Sequence, residues 1–245
     1  MIQTDSKEYL EAKRRNINMV IKLGFWSAVF TAVLAALFII LGLFGSSYTE
    51  PNPYPYIGSY IKTIDYILFY PAFLLAPVFV VLLACIYQYT HPPRKIFSFI
   101  ALLFGLIYAT IIIPDYFILW NVDLPSIISG QTANLSLISL YNPHGIFIAL
   151  ESLAYIMMSV SFLFLAPVFT GGRIEKSLKW LFVGGFILAI GSFTFTSLMK
   201  YDIVVFEVGI ITINVAVLIA SGILISILFR RAIYDGEFIS RSNLT

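Results

Sequence analysis

Glu151 and Glu207 are the residues in this chain whose type and position most demand a chemical reason. Each carboxyl stands about five residues inside an apolar run, in segments 146–169 and 203–229. At a rise of 1.5 Å per helical residue, that is roughly 8 Å of depth. A charge placed in hydrocarbon costs ~2–3 kcal/mol at mid-depth and less near the interface. Such an acid is expected to face neighbouring helices or a water-filled cavity. On a helix, Ser152, Tyr155 and Ser159 add polar groups beside Glu151. Asn214 falls two turns from Glu207 on nearly the same face, with Ser221 two turns further on. Asp65 and Asp115 end other apolar runs, and Asn142 and His144 precede the fourth. Glu151, Glu207, Asn214, Tyr155, Ser152 and Asp115 together describe an acidic, outward-open binding pocket. It would suit a cation, a proton-coupled solute or a polar lipid head group. The competing reading is that both glutamates only hydrogen-bond to adjacent helices or reach the interface.

Other chemistries find little support. The two histidines, His91 and His144, are expected on opposite sides of the membrane. A zinc site needs three or four clustered ligands, so no metal is expected, and a haem held by two histidines fails on the same ground. No Gly-x-Ser-x-Gly elbow accompanies the serines, and no glycine loop cradles a phosphate. Lys22, Lys62 and Lys200 all sit at the margins of apolar runs, which disfavours a Schiff-base cofactor. No cofactor is expected. An intramembrane lipid-modifying enzyme would need paired acids at one depth, a condition that Glu151 and Glu207 meet only loosely.

The elements that must position these residues follow from composition. Of the 245 residues, 60% are hydrophobic and 11% are charged. A soluble domain carries about 25% charged residues, so lipid must be the solvent for much of this surface. The lone cysteine, Cys85, lies in an apolar run and can form no internal disulfide. About 20 apolar residues cross a bilayer core of roughly 30 Å. The runs 23–44, 66–89, 96–113, 146–169, 180–199 and 203–229 meet or approach that length. Each must satisfy its own backbone hydrogen bonds in lipid. The expected fold is therefore an all-α integral membrane protein, a single six-helix bundle. Residues 1–22 form an N-terminal helix that runs on into the first span, and 230–245 form a short tail.

Orientation follows from lysine and arginine. Of the 15 basic residues, all but Lys62 and Lys200 fall in the N-terminal segment, two alternate connections and the tail. That pattern places both termini in the cytoplasm. The clusters flank apolar runs, as membrane-edge charges do, and no nucleic-acid partner is expected. The size and span pattern look like those of small six-helix membrane proteins of microbes, which makes a prokaryotic plasma membrane the expected location. The outer connections are 45–65, 115–145 and 200–202. The first is rich in Pro and Tyr and is expected to lie along the interface. In the second, residues 124–140 suit an interfacial or re-entrant helix, and Asn134-Leu135-Ser136 fits a glycosylation triplet.

Small residues at spacings of three and four mark close helix contacts: Gly24, Ala28, Ala32 and Ala35 in the first span, Gly185, Ala189, Ser192 and Thr196 in the fifth. A pore lining is the alternative for both stripes. Pro71 and Pro77 are expected to bend the second span. Leu75-Ala76-Pro77-Val78-Phe79 recurs as Leu165-Ala166-Pro167-Val168-Phe169, at a different depth and within reach of chance. Three classes of function remain. One is binding or transport of a small solute, ion or lipid through the acidic pocket. Another is an assembly or regulatory role beside a membrane-protein partner or a second copy. The third is the intramembrane enzyme.

Overall fold

The computed structural model describes residues 2–44, 66–131, 135–140, 142, 144–198 and 207–235, with the side chains of 2–10, 13, 136, 207, 208, 234 and 235 excepted. The expectations for 45–65, Asn134, 200–202 and 236–245 lie outside the described residues. The helices are α1 (Ile2–Gly42), α2 (Phe69–Tyr89), α3 (Lys95–Ile118), α4 (Leu124–Ile128), α5 (Ile146–Leu165), α6 (Arg173–Leu198) and α7 (Thr212–Asp235). No strand occurs among the described residues. Six helical stretches are long and apolar enough to cross a membrane, in the positions expected from the sequence.

Contacts close these stretches into a ring. Chain neighbours α1 and α2, α2 and α3, α3 and α5, and α5 and α6 pack in turn. α6 packs on α7, and α7 returns to α1. Small residues, in the two stripes and at Gly222, make the close contacts of α7 with α1 and α6. A side chain at Gly222 of α7 would collide with the Ala28 carbonyl and Ala32 of α1. Gly24 of α1 lies against the Phe229 ring, and Gly185 of α6 against Val217 of α7. Without side chains at these points the helix backbones approach closely, and dispersion contacts replace a hydrophobic driving force that lipid does not supply. The ring is filled by Phe79, Leu83, Tyr108, Phe162 and Phe182. Its outer surface shows Trp26, Phe30, Leu103, Ile187, Leu188 and Phe195, a face suited to hydrocarbon rather than to water.

Three details differ from the sequence expectation. The third span does not stop at Ile113. Helix continues through Ile118, passes into a π-helical segment over Leu119–Asp123 and ends with α4 at Ile128. The helical stretch Pro92–Ile128 has 37 residues, about 55 Å. The charge of Asp115 and the Pro114 beside it look like a span end, yet buried contacts carry the helix past both. The segment 124–140 is correspondingly not a separate re-entrant helix. Its first turn completes this long helix, and Leu135–Leu137 forms a 3₁₀ turn. Pro71 falls in the first turn of α2, where its missing N–H breaks no helical bond, so only Pro77 stands inside that helix.

Candidate functional site

The polar interior is assembled by α3 and α5. On α5, Glu151, Tyr155 and Ser159 follow at spacings of four, and all three are buried. Four residues put side chains one above another on a helix face, so this stripe points at α3 and α7 throughout. On α3, Tyr108 and Asp115 are seven apart, again nearly one face, and both are buried. The two stripes meet at the acids. The Tyr116 hydroxyl donates to Glu151 Oε1 at 2.8 Å. The Asp115 carboxyl lies within electrostatic reach of Glu151. Glu151 is 1% exposed and Asp115 is 3% exposed. Asp115 Oδ2 has no hydrogen-bond partner among the described residues.

Aromatic rings enclose the pair. Phe69 of α2 stands 4.9 Å from the Tyr116 ring, and Phe147, one turn before Glu151, stands 5.8 Å from Phe69. Below, the rings of Tyr108 and Tyr155 are 6.4 Å apart. Tyr155 reaches the Tyr116 hydroxyl as well. Phe69 and Phe147 pack around Tyr116, the partner of Glu151, and the acid is buried rather than lining an open pocket as the sequence reading expected.

α3 is irregular on both sides of these acids. Pro114 removes one N–H from the helix just before Asp115. The π-helical segment Leu119–Asp123 follows. An α-helix turns about 100° per residue, so Asp123, eight residues on, would point about 80° away from Asp115. The wider i→i+5 turn absorbs roughly one extra residue and brings Asp123 back to the interior face. Asp123 is 0% exposed. Its carboxyl faces the Tyr66 hydroxyl and the Leu140 amide, neither at full hydrogen-bond geometry. Trp120, within the same segment, donates to the Tyr66 carbonyl at 3.2 Å and stacks on Tyr70 at 4.2 Å, strapping the π turn to the start of α2.

The remaining candidates divide. Ser159 lies 2.8 Å from Asn214 Oδ1, which joins α5 to α7 two turns below Glu151. Asn214 also donates to the Ile210 carbonyl, inside a second π segment, Glu207–Ile211. The backbone of Glu207 opens that segment, and its side chain lies outside the described residues. Ser152 turns away from the acids. It donates to the Ile148 carbonyl at 2.7 Å and lines a separate groove of about 330 Å³ with His144, Ile148, Leu153 and Phe193. The structure therefore brings together Glu151, Asp115 and Tyr155, links Asn214 one layer deeper, and sets Ser152 on another face.

No family model, no curated protein and no solved structure matches the chain. The site must be read from its own chemistry. Among the described residues, no three His, Cys, Asp or Glu side chains converge closely enough to hold a metal ion. What does converge is two carboxyls and a tyrosine cage, with none of the described lysines or arginines against them.

Sequence reasoning overlooked Tyr108, Tyr116 and Asp123. Tyr108 carried a usable signal, the seven-residue spacing to Asp115. Tyr116 follows an acid at what looked like a helix end, and Asp123 stood in an apparent loop. A π turn leaves no mark in hydrophobic periodicity, so the register of Asp123 could not be read.

Proposed function

We propose that this chain is a multi-pass protein of a cell membrane that binds a small cation, or a polar solute accompanied by one, at the Asp115–Glu151 pair and carries it across. The observation that supports this reading is the pair itself. Two buried carboxyls stand within electrostatic reach of each other, and one oxygen of Asp115 has no partner among the described residues. Removing ions from water costs several kcal/mol each unless opposite charge is supplied. A proton or a cation seated between the two acids supplies it, and the tyrosine hydroxyls complete an oxygen-rich cage. Ionisable groups inside a bundle mark ion and proton pathways in membrane proteins generally. π-helical turns, frequent at functional sites, lie after Asp115 and at Glu207. In this reading the basic ends face the cytoplasm of a prokaryotic cell, and the acids sit toward the outer side.

The test is flux through purified protein in liposomes, with sodium, potassium and proton gradients imposed separately. Wild-type protein should pass one of these cations faster than empty liposomes, and Glu151→Gln should abolish the difference while leaving the helical content intact. Flux equal to empty liposomes for every gradient, or unchanged in Glu151→Gln, defeats the proposal. A role as an assembly partner is the second reading, favoured by α6. It is the least buried of the six helices, with Trp180, Ile187, Leu188 and Leu198 exposed along its length. Loss of co-purification of another membrane protein on Leu188→Ala, with no flux at all, would favour it.

A further inference from the structure

α1 has 41 residues, about 60 Å, twice what a bilayer core requires. Its apolar part begins after Lys22, so the first half stands beyond the apolar layer at the basic end. Arg15, Asn18, Met19, Lys22, Leu23 and Trp26 recur at spacings of three and four and form one face of the helix. Together they line a surface groove of about 660 Å³. All six side chains are exposed, and none that lines the groove is acidic. Arg15 and Lys22 are two turns apart on the same side, near enough for both long side chains to converge on one anion. Beyond them the same face becomes apolar through Leu23, Trp26 and Phe30, which are half or more exposed. Gly24, on the opposite face, packs against Phe229. That contact sets the exposed Arg230 and Arg231 of α7 at the height of Lys22.

We infer that this face of α1 is a binding site for an anionic phospholipid. Its phosphate lies between Arg15 and Lys22, and an acyl chain lies along Leu23, Trp26 and Phe30. The order of groups argues for a lipid over a soluble anion. Cations, then an indole, then bare hydrocarbon along one helical face repeat the order of head group, interface and chain in an amphiphile. Basic residues beside a span attract anionic head groups, and tryptophan favours the boundary layer. The site is independent of the acid pair, which lies at the other end of the bundle.

The experiment uses the full chain in detergent micelles, with phosphatidylglycerol or phosphatidylcholine added and retained lipid counted by native mass spectrometry. Wild-type protein should retain phosphatidylglycerol over phosphatidylcholine. Arg15→Gln with Lys22→Gln should lower that retention roughly tenfold or more. Arg15→Lys with Lys22→Arg should restore it, which separates charge from misfolding. Lys176→Gln with Lys179→Gln, of equal charge change elsewhere on the basic end, should leave it in place. Equal retention of the two lipids, or an equal loss in the Lys176/Lys179 variant, overturns the inference. Displacement of phosphatidylglycerol by glycerol 3-phosphate at equal concentration also overturns it, by showing a site for free phosphate.

Discussion

Tyr116 commits its hydroxyl to Glu151 in a space that water does not reach, and this bond orients the acid. A hydrogen bond to a charged group contributes about 1.5–3 kcal/mol, and Tyr116 is the donor that the described residues show for the Glu151 carboxyl. Tyr116→Phe should therefore lower stability by roughly that amount while the ring packing against Phe69 and Phe147 survives. Reversible unfolding in mixed micelles reads the change. A loss below about 0.5 kcal/mol would mean that Glu151 finds another donor or does not need one. The residue scale was the least legible in the sequence. Glu151 stood out because an acid inside an apolar run is costly, and its neighbour at four residues, Tyr155, came with it. Asp115 was visible too, but as a span end. The helix continues through it, and only the partner helix shows that it lies within electrostatic reach of Glu151.

At the scale of elements, glycines decide how near the helices come. Gly222 allows α7 to touch the backbone of α1, since a Cβ there would lie 2.7 Å from the Ala28 carbonyl. Backbone cannot yield as a flexible side chain can, so Gly222→Ala should cost about 1–3 kcal/mol. Gly184 in α6 has nothing within 4 Å of its would-be Cβ. Gly184→Ala should instead leave stability unchanged or raise it by up to ~1 kcal/mol through helix propensity. Thermal unfolding of both variants checks the contrast, and equal effects would contradict the packing described. The stripes containing Gly24 and Gly185 were readable because close helix approach demands small residues at helical spacing. Gly222 lay outside them. The length of the helix that runs on to Ile128 was hidden because Pro114 and Asp115 imitate a terminus.

The whole molecule is a closed ring of six apolar stretches with unlike ends. At one end lie Lys22, Arg94, Arg173, Arg230 and Arg231, and the Arg94 guanidinium donates to the Thr170 hydroxyl, tying two connections together. At the other end lie Asp115, Asp123 and the turn of His144. This level was the most legible, because six helices long and apolar enough to cross a membrane stand where the apolar runs of the sequence lie. The ring order was not legible, since apolar runs do not say which neighbour they touch. The asymmetry yields a topological prediction. Of cysteines introduced at Ser177 and Ser129, both exposed and at opposite ends, Ser129→Cys should react with an impermeant maleimide in intact cells and Ser177→Cys only once the membrane is permeabilised. Native Cys85 is buried and should stay unlabelled. Labelling of both positions from one side would refute the six-span arrangement.

The claim that most of this account rests on is that the Asp115–Glu151 pair engages a cation. Difference infrared spectroscopy of the protein in lipid reads it directly, by exchanging the cation and following the carboxyl bands. Exchange should shift carboxyl bands in wild-type protein, Glu151→Gln should remove one of them, and Asp115→Asn should alter the other. Identical spectra before and after exchange with every cation tried, protons included, would contradict it.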